Sequence, residues 1–146
     1  MASDENCIFC KIIAGQIPVA KVYEDEEVLA FMNLQQIQPG HTLVIPKVHY
    51  ANIYEITDEA LVQVTKVAAR IARAAKQAFD ASGIQLLQNN GSVAWQSVWH
   101  LHQHVIPRYE GDVGHDLYAI WTRGTIATPE ELEANAAKLR EALARL

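Results

Sequence analysis

Three of the chain's six histidines occupy alternate positions of one short segment, as His100, His102 and His104. Successive side chains of a β-strand point to opposite faces, so this spacing predicts a row of imidazoles along one face. The ordinary pKa of imidazole is near neutrality, and the ring serves as a nucleophile, a proton carrier or a metal ligand. The segment therefore predicts a site of chemistry.

A single metal ion held by all three histidines is one interpretation of this row, and geometry argues against it. The positions span about 13 Å at ~3.3 Å per residue, which is too long for one ion. The two cysteines, Cys7 and Cys10, are separated by two residues. In a reducing compartment that spacing suggests a metal site or a redox pair rather than a structural disulfide, with buried free thiols as the alternative.

The composition predicts one globular domain over residues 1–146. Hydrophobic residues make up 50% of the chain and charged residues 20%, with only 7 glycines and 5 prolines. A net charge of -5 argues against a nucleic acid partner held by a broad basic surface. The polar, acidic first residues do not resemble a secretory signal, and no apolar run is long enough to cross a bilayer. We therefore expect a cytoplasmic protein without a membrane partner.

The elements that position the histidines are predicted from hydrophobic periodicity and from turn and capping residues. Thr57 begins a long helix, and Thr128 with Pro129 and Glu131 begins a C-terminal helix within 128–145. A short helix covers 7–14, the long helix covers 58–79, and strands cover 19–23, 28–32, 41–46, 84–88 and 97–109. Consecutive strands with helices between and after them favour an antiparallel α+β fold. Residues 35–40 are predicted to be a loop, residues 110–124 receive no assignment, and His115 is expected at the surface.

The histidine segment and three others resemble the histidine triad (HIT) family, and most closely its Hint-type and bacterial Hit branch. The resembling segments are 100–106, 8–13, 39–47 and 96–99, so the likeness extends over about 7–109. It implies a HIT-like fold, with an antiparallel sheet of about five strands and a long helix between the third and fourth. Residues 128–145 then form a C-terminal extension of this single domain.

The resemblance also implies an activity. Such proteins bind a purine nucleoside monophosphate, or its phosphoramidate or polyphosphate derivative, and cleave the monophosphate from an amine or phosphate leaving group. His102 would attack the α-phosphorus and form a nucleotidyl-histidine, and His104 would donate to a phosphate oxygen. Such a nucleotidyl hydrolase or transferase divides one difficult displacement into two easier steps.

The family pattern implies further site residues. Ser97 and His41 join the catalytic set, and Asn89 and Asn33 are expected near the phosphate and the ribose. The remaining nucleotide-binding positions are Ile8, Phe9, Ile12, Phe31 and Leu34, which would form an apolar slot for the base, and Gln96. Without the resemblance the five apolar residues would be assigned to the core.

A zinc ion is implied by the same likeness, because some bacterial members hold one at matching positions. The ligands would be Cys7, Cys10, His49 and His100, a closed four-ligand set and hence a structural rather than a catalytic site. A homodimer is implied in the same way. His100 then belongs first to the metal site.

Four positions depart from the family pattern. Asn33 stands where an Asp is usual, Gln103 replaces an apolar residue between two histidines, and Ala94 and Trp95 stand where small glycines are usual. Gln103 points to the opposite sheet face and needs a hydrogen-bond partner there. Because these departures lie near the expected pocket, the alternative is a purine-nucleotide-binding scaffold or regulatory protein with little catalytic activity.

Overall fold

Five antiparallel strands form the central sheet. The computed structural model describes residues 3–112, 119, 122 and 124–146. In spatial order the strands of this sheet are β1 (Lys21–Glu24), β2 (Val28–Met32), β4 (Thr42–Pro46), β6 (Gln103–Arg108) and β5 (Gly83–Leu87). Two short strands, β3 (Gln35–Gln36) and β7 (Thr125–Ile126), pair with each other in a second sheet. This architecture confirms the predicted α+β class and its antiparallel five-stranded sheet.

The helices cover the two faces of the sheet unequally. Helices α2 (Asp58–Ala78) and α3 (Pro129–Ala144) pack with one face through a core that includes Val44 and Val105. The short helix α1 (Ile8–Ile13) packs with the opposite face against Phe31, Leu43 and Ile45. No helix in the described part of the chain is long and apolar enough to cross a membrane.

The helix starts are fixed by the capping residues that the sequence predicts. The Thr57 hydroxyl accepts from the Ala60 N–H at 3.2 Å. Thr128 and Glu131 form a reciprocal capping box at the start of α3. Each satisfies N–H groups that the first helical turn would leave without partners. Leu139 of α3 is completely buried in the core it shares with α2, so the C-terminal helix is part of the same packed body.

The predicted strand 97–109 is wrong at its first half, because β6 begins only at Gln103. The backbone N–H of Leu101 donates to the Tyr50 carbonyl at 2.8 Å, outside the sheet. His102 Nδ1 lies 2.7 Å from the His100 carbonyl oxygen, a local contact that a strand does not make. Of the three histidines only His104 therefore lies in the strand, and strand alternation does not set the positions of the His100 and His102 rings.

One further expectation is wrong, and another agrees with the structure. The predicted loop 35–40 contains β3, whose partner β7 lies almost 90 residues away in sequence and could not be inferred from local pattern. Gln103 obtains its expected partner, because Gln88 Nε2 donates to Gln103 Oε1 at 3.3 Å. His115 and most of the unassigned segment 110–124 lie outside the described residues.

Candidate active site and metal cluster

A cavity of about 540 Å³ opens on the face of the sheet that α1 covers. Helix α1 and strand β2 supply an apolar wall, and the loop after β5 supplies a second, more polar wall. His102 and His104 line the cavity between these walls. The predicted site residues that line it are Ile8, Phe9, Ile12, Phe31, Asn33, Leu34, Asn89, Ser97, His102 and His104. The volume is in the range of pockets that bind small molecules.

Sheet register brings His104 to the apolar wall. Phe31 pairs with Leu43 across β2 and β4, and Leu43 pairs with His104 across β4 and β6. Directly opposed residues of neighbouring strands project from the same face, so the three side chains form one row across the sheet. Phe9 from α1 meets His102 edge-on, with ring centroids 5.2 Å apart. The histidines are thereby held in a largely apolar setting.

The tautomer of His102 is fixed by its backbone contact. Its Nδ1 lies 2.7 Å from the His100 carbonyl oxygen, which can only accept, so Nδ1 carries the proton. The lone pair of the neutral ring is then on Nε2. Burial lowers the pKa of His102, and the donated hydrogen bond opposes that shift only in part. His102 is therefore a neutral imidazole with Nε2 available as a nucleophile.

His104 accepts a hydrogen bond from His41, which is completely buried. The Ile37 N–H donates to His41 Nδ1 at 3.4 Å, so the neutral His41 ring carries its proton on Nε2. That Nε2 lies 2.8 Å from His104 Nδ1, which accepts the bond. Neutral His104 is consequently protonated at Nε2 and can act there as a donor.

Both of these rings stay uncharged at neutral pH. Burial first, and second the repulsion that a protonated His102 would exert, lower the pKa of His41 to about 3. Burial and then repulsion from His41 and His102 hold the pKa of His104 well below its usual range. His41, which was expected in the catalytic set, has no exposed surface and does not line the cavity. It is a positioning residue for His104.

Gln96 also differs from its expected role as a nucleotide contact. Its Nε2 donates to the carbonyls of Ala51 and Val98 at 2.6 and 3.0 Å, and its Oε1 accepts from the Gly91 N–H at 2.8 Å. The side chain is buried, and its amide is engaged at both donors and at the acceptor. Gln96 therefore braces the loop that carries Ser97 and does not line the cavity.

Asn33 and Asn89 lie on opposite walls of the cavity and both engage the backbone. Asn33 Nδ2 donates to the Gln35 carbonyl at 3.0 Å, close to the His41 ring. Asn89 Nδ2 lies 3.5 Å from the Trp95 carbonyl. Two neutral amides with oriented side chains can supply acceptors for hydroxyl groups and donors for phosphate oxygens.

The four expected metal ligands converge at the start of α1. Their ligand atoms all lie within 4.8 Å of one another. His100 Nδ1 is 3.4 Å from Cys7 Sγ and 3.6 Å from Cys10 Sγ, and His49 Nδ1 is 3.4 Å from Cys10 Sγ and 3.2 Å from His100 Nδ1. A tetrahedral zinc ion requires S···N edges of about 3.6 Å and N···N edges of about 3.3 Å. The spacing fits such an ion.

Surrounding groups orient the same ligands. His100 Nε2 donates to the Pro46 carbonyl at 2.8 Å, which leaves the Nδ1 lone pair directed at the cysteines. The Cys10 N–H donates to Cys7 Sγ at 3.4 Å and the Asp4 N–H to Cys10 Sγ at 3.5 Å. Burial raises the pKa of the Cys7 thiol, so a metal ion would supply the positive charge that a thiolate needs there.

The HIT domain family profile matches residues 14–111, about two thirds of the chain. The chain belongs to the HIT domain family. The HIT protein is 50% identical to "Protein hit" of Bacillus subtilis over 141 residues, which covers 96% of each chain. It is 41% identical to the adenosine 5'-monophosphoramidase HNT1 of Saccharomyces cerevisiae over 111 residues, 76% of this chain and 68% of that one.

A solved structure adds a comparison for the metal cluster. A zinc-bound histidine triad family protein from Mycobacterium smegmatis superposes on the HIT protein with a TM-score of 0.82 and 36% identity, covering 95% of this chain and 94% of that one. Zinc is what that protein holds. The Cys2His2 cluster of the present chain can accept an ion of the same kind.

Several residues that line the cavity of the HIT protein were not predicted from the sequence, among them Leu43 and Val98. Leu43 was detectable in principle, because the alternation in β4 places it on the same face as Phe31. Val98 was not, since the segment 97–102 was predicted as strand and is a loop. Ile17 and Val19, in the segment between α1 and β1, also line the cavity, which no local pattern indicates.

Proposed function

We propose that this HIT protein binds a purine nucleotide and transfers its nucleoside monophosphate group, from an amine or phosphate leaving group, to water or another acceptor. The observation that carries the proposal is the tautomer of His102, whose Nδ1–H bond to the His100 carbonyl leaves Nε2 as a buried, neutral nucleophile. A purely binding protein has no need of a nucleophile prepared in this way. The phosphoramidase activity of the yeast relative supports the same chemistry.

The reaction divides into two balanced steps. The Nε2 lone pair of His102 attacks the α-phosphorus, the phosphorus–nitrogen bond of the phosphoramidate breaks, and the amine departs with the bonding electrons and takes up a proton. Water then attacks the phosphorus, the Nε2–P bond breaks, and the nucleoside monophosphate is released. Over both steps one water supplies the proton of the amine and the hydroxyl of the monophosphate. Each step passes a lower barrier than direct displacement by water.

Donors on the cavity wall would stabilise the charge of the transferred group. His104, protonated at Nε2 through its bond from His41, is placed beside His102 with ring centroids 5.0 Å apart. The Ser97 hydroxyl and the Asn89 amide lie on the facing loop wall. Preorganised donors of this kind act where negative charge develops on phosphoryl oxygens.

The apolar wall suits a flat base, and the polar position beside it suits a ribose. Ile8, Phe9, Ile12 and Phe31 present hydrophobic and aromatic surface on one side of the cavity. A purine buries more surface there than a pyrimidine, which favours purine nucleotides. Asn33 would accept the ribose hydroxyls, with a neutral amide where a carboxylate would bind them more strongly.

The zinc ion is proposed as a structural component. Cys7, Cys10, His49 and His100 would supply all four ligands of a tetrahedral ion, which leaves no open position for water. When bound, the ion supplies a crosslink between α1 and the segment that precedes β6. Thiolate ligands require a reducing compartment, which agrees with the predicted cytoplasmic location.

The decisive experiment compares wild type with His102→Ala on adenosine 5'-phosphoramidate. We expect turnover to fall by at least about a thousandfold, because the nucleophile is lost. Calorimetric binding of AMP, measured in the same samples, is expected to persist and controls for folding. Equal rates in the two proteins would contradict the proposal and favour the nucleotide-binding scaffold.

A homodimer stays a prediction for this chain. The described strand β5 lies at the edge of the sheet, and Leu86 on it is half exposed. Light scattering at micromolar concentration is expected to give twice the chain mass. A monomer mass would contradict the prediction.

A further inference from the structure

Trp95 has a backbone conformation that a bulky side chain rarely adopts. Its φ is +68°, and among non-glycine residues of the described segments only Asp80 shares a positive value. Such a conformation costs free energy that a glycine would not incur. The residue follows a short 3₁₀ turn at Ser92–Ala94, and its N–H donates to the Ser92 carbonyl at 3.0 Å. The loop therefore holds an indole in a position suited to glycine.

The Trp95 indole lies on the wall of the cavity, where it can contact a bound ligand. Trp95 lines the cavity on the loop wall, together with Asn89 and Ser97, and is 46% exposed. The apolar wall formed by α1 and β2 lies on the other side of His102. If the base occupies that wall and the α-phosphate lies at the histidines, the leaving group extends toward the loop wall. The indole is then in reach of the leaving group rather than of the base.

We propose that Trp95 is a specificity-determining residue that selects aromatic leaving groups by stacking on them. This inference rests on the proposed function and adds the chemical class of the group that is released. A flat, polarisable indole favours an aromatic ring over a saturated ring of the same size by about 3- to 10-fold. The strained backbone is consistent with a side chain retained for contact with a ligand.

Matched leaving groups separate stacking from size. Adenosine 5'-phosphoramidates of benzylamine and cyclohexylmethylamine share the methylene linker and the number of ring carbons. They differ in aromaticity and in the basicity of the amine, and the ratio of their rates in Trp95→Gly measures the difference that does not depend on the indole. We expect the benzyl to cyclohexylmethyl ratio of kcat/KM to be about 3- to 10-fold higher in wild type than in Trp95→Gly. Trp95→Phe keeps an aromatic ring and is expected to keep most of the preference.

Folding and turnover are controlled separately. Trp95→Gly relieves the positive φ, so its melting temperature is expected to equal or exceed that of wild type. Affinities of the same two amides for His102→Ala, with and without Trp95→Gly, give the preference without turnover. A ratio unchanged by Trp95→Gly, in rates or in affinities, overturns the inference. No turnover in wild type together with a Trp95-dependent affinity ratio would refute the proposed function and leave the contact of Trp95 with the ligand supported.

Discussion

His41 makes the stability of the protein depend on pH in a way that one substitution removes. The folded chain holds the pKa of this buried ring at about 3, against an ordinary value of about 6.5. Between these values the unfolded chain binds one more proton than the folded chain at this position. Stability therefore falls as pH falls, by about 1.4 kcal/mol per pH unit.

The magnitude follows from the two pKa values. Between pH 7 and pH 5 the contribution of His41 to the free energy of unfolding decreases by about 2 kcal/mol. His41→Gln retains a neutral amide donor for His104 Nδ1 and removes the titration. Between pH 7 and pH 5 the free energy of unfolding is therefore expected to fall by about 2 kcal/mol more in wild type than in His41→Gln. This holds whatever the difference in stability between the two proteins at pH 7.

Urea unfolding followed by circular dichroism, at pH 7 and at pH 5, measures this loss of stability in each protein. Both proteins are kept saturated with zinc, so that the proposed metal ligands are in the same state in each. A loss that is equal in the two proteins would refute the protonation states assigned to His41 and His104. A larger loss in His41→Gln would show that the acid sensitivity lies elsewhere.

Two further predictions concern packing and metal binding. A methyl group at Gly40, where φ is +98°, would lie 2.5 Å from Phe79, so Gly40→Ala is expected to lower the free energy of unfolding by about 2–4 kcal/mol. Gly15→Ala has a similar φ of +78° but open space, and should cost about 1 kcal/mol; equal losses would contradict the contact with Phe79. Cys7→Ser is expected to lose stoichiometric zinc and, at zinc a thousandfold above the wild-type dissociation constant, about 4 kcal/mol of stability. Elemental analysis and melting with and without chelator measure both, and a metal content equal to wild type would contradict the ligand assignment.

The sequence predicted the types of the elements better than the backbone of the histidine segment. The element types and the helix caps at Thr57 and Thr128 follow from local rules, and the structure has them. The segment 97–102 was misassigned because its hydrogen-bond partners, the carbonyls of Pro46 and Tyr50, lie far away in sequence, at the end of β4 and in the loop that follows it. Histidines at alternate positions are compatible with a strand and also with an irregular loop. Only tertiary contacts decide between the two.

The same limit explains the two site residues whose roles changed. The sequence places His41 and Gln96 near the histidines in the fold but does not indicate how deeply either side chain is buried. His41 lies behind His104 because β4 and β6 pair, and Gln96 turns inward because the Ala51 carbonyl is there to accept from it. Apolar residues of the slot, such as Phe31, were easier to place because sheet alternation fixes their face.

Direct detection of a nucleotide on His102 tests the central claim most directly. Wild type is mixed with adenosine 5'-phosphoramidate, quenched within milliseconds to seconds, and analysed by intact and peptide mass spectrometry under conditions that preserve phosphorus–nitrogen bonds. We expect an adduct with the mass of one adenylyl group on the peptide that contains His102, absent in His102→Ala. Turnover that proceeds in the quenched samples with no adduct, or with the adduct on another residue, would contradict the account.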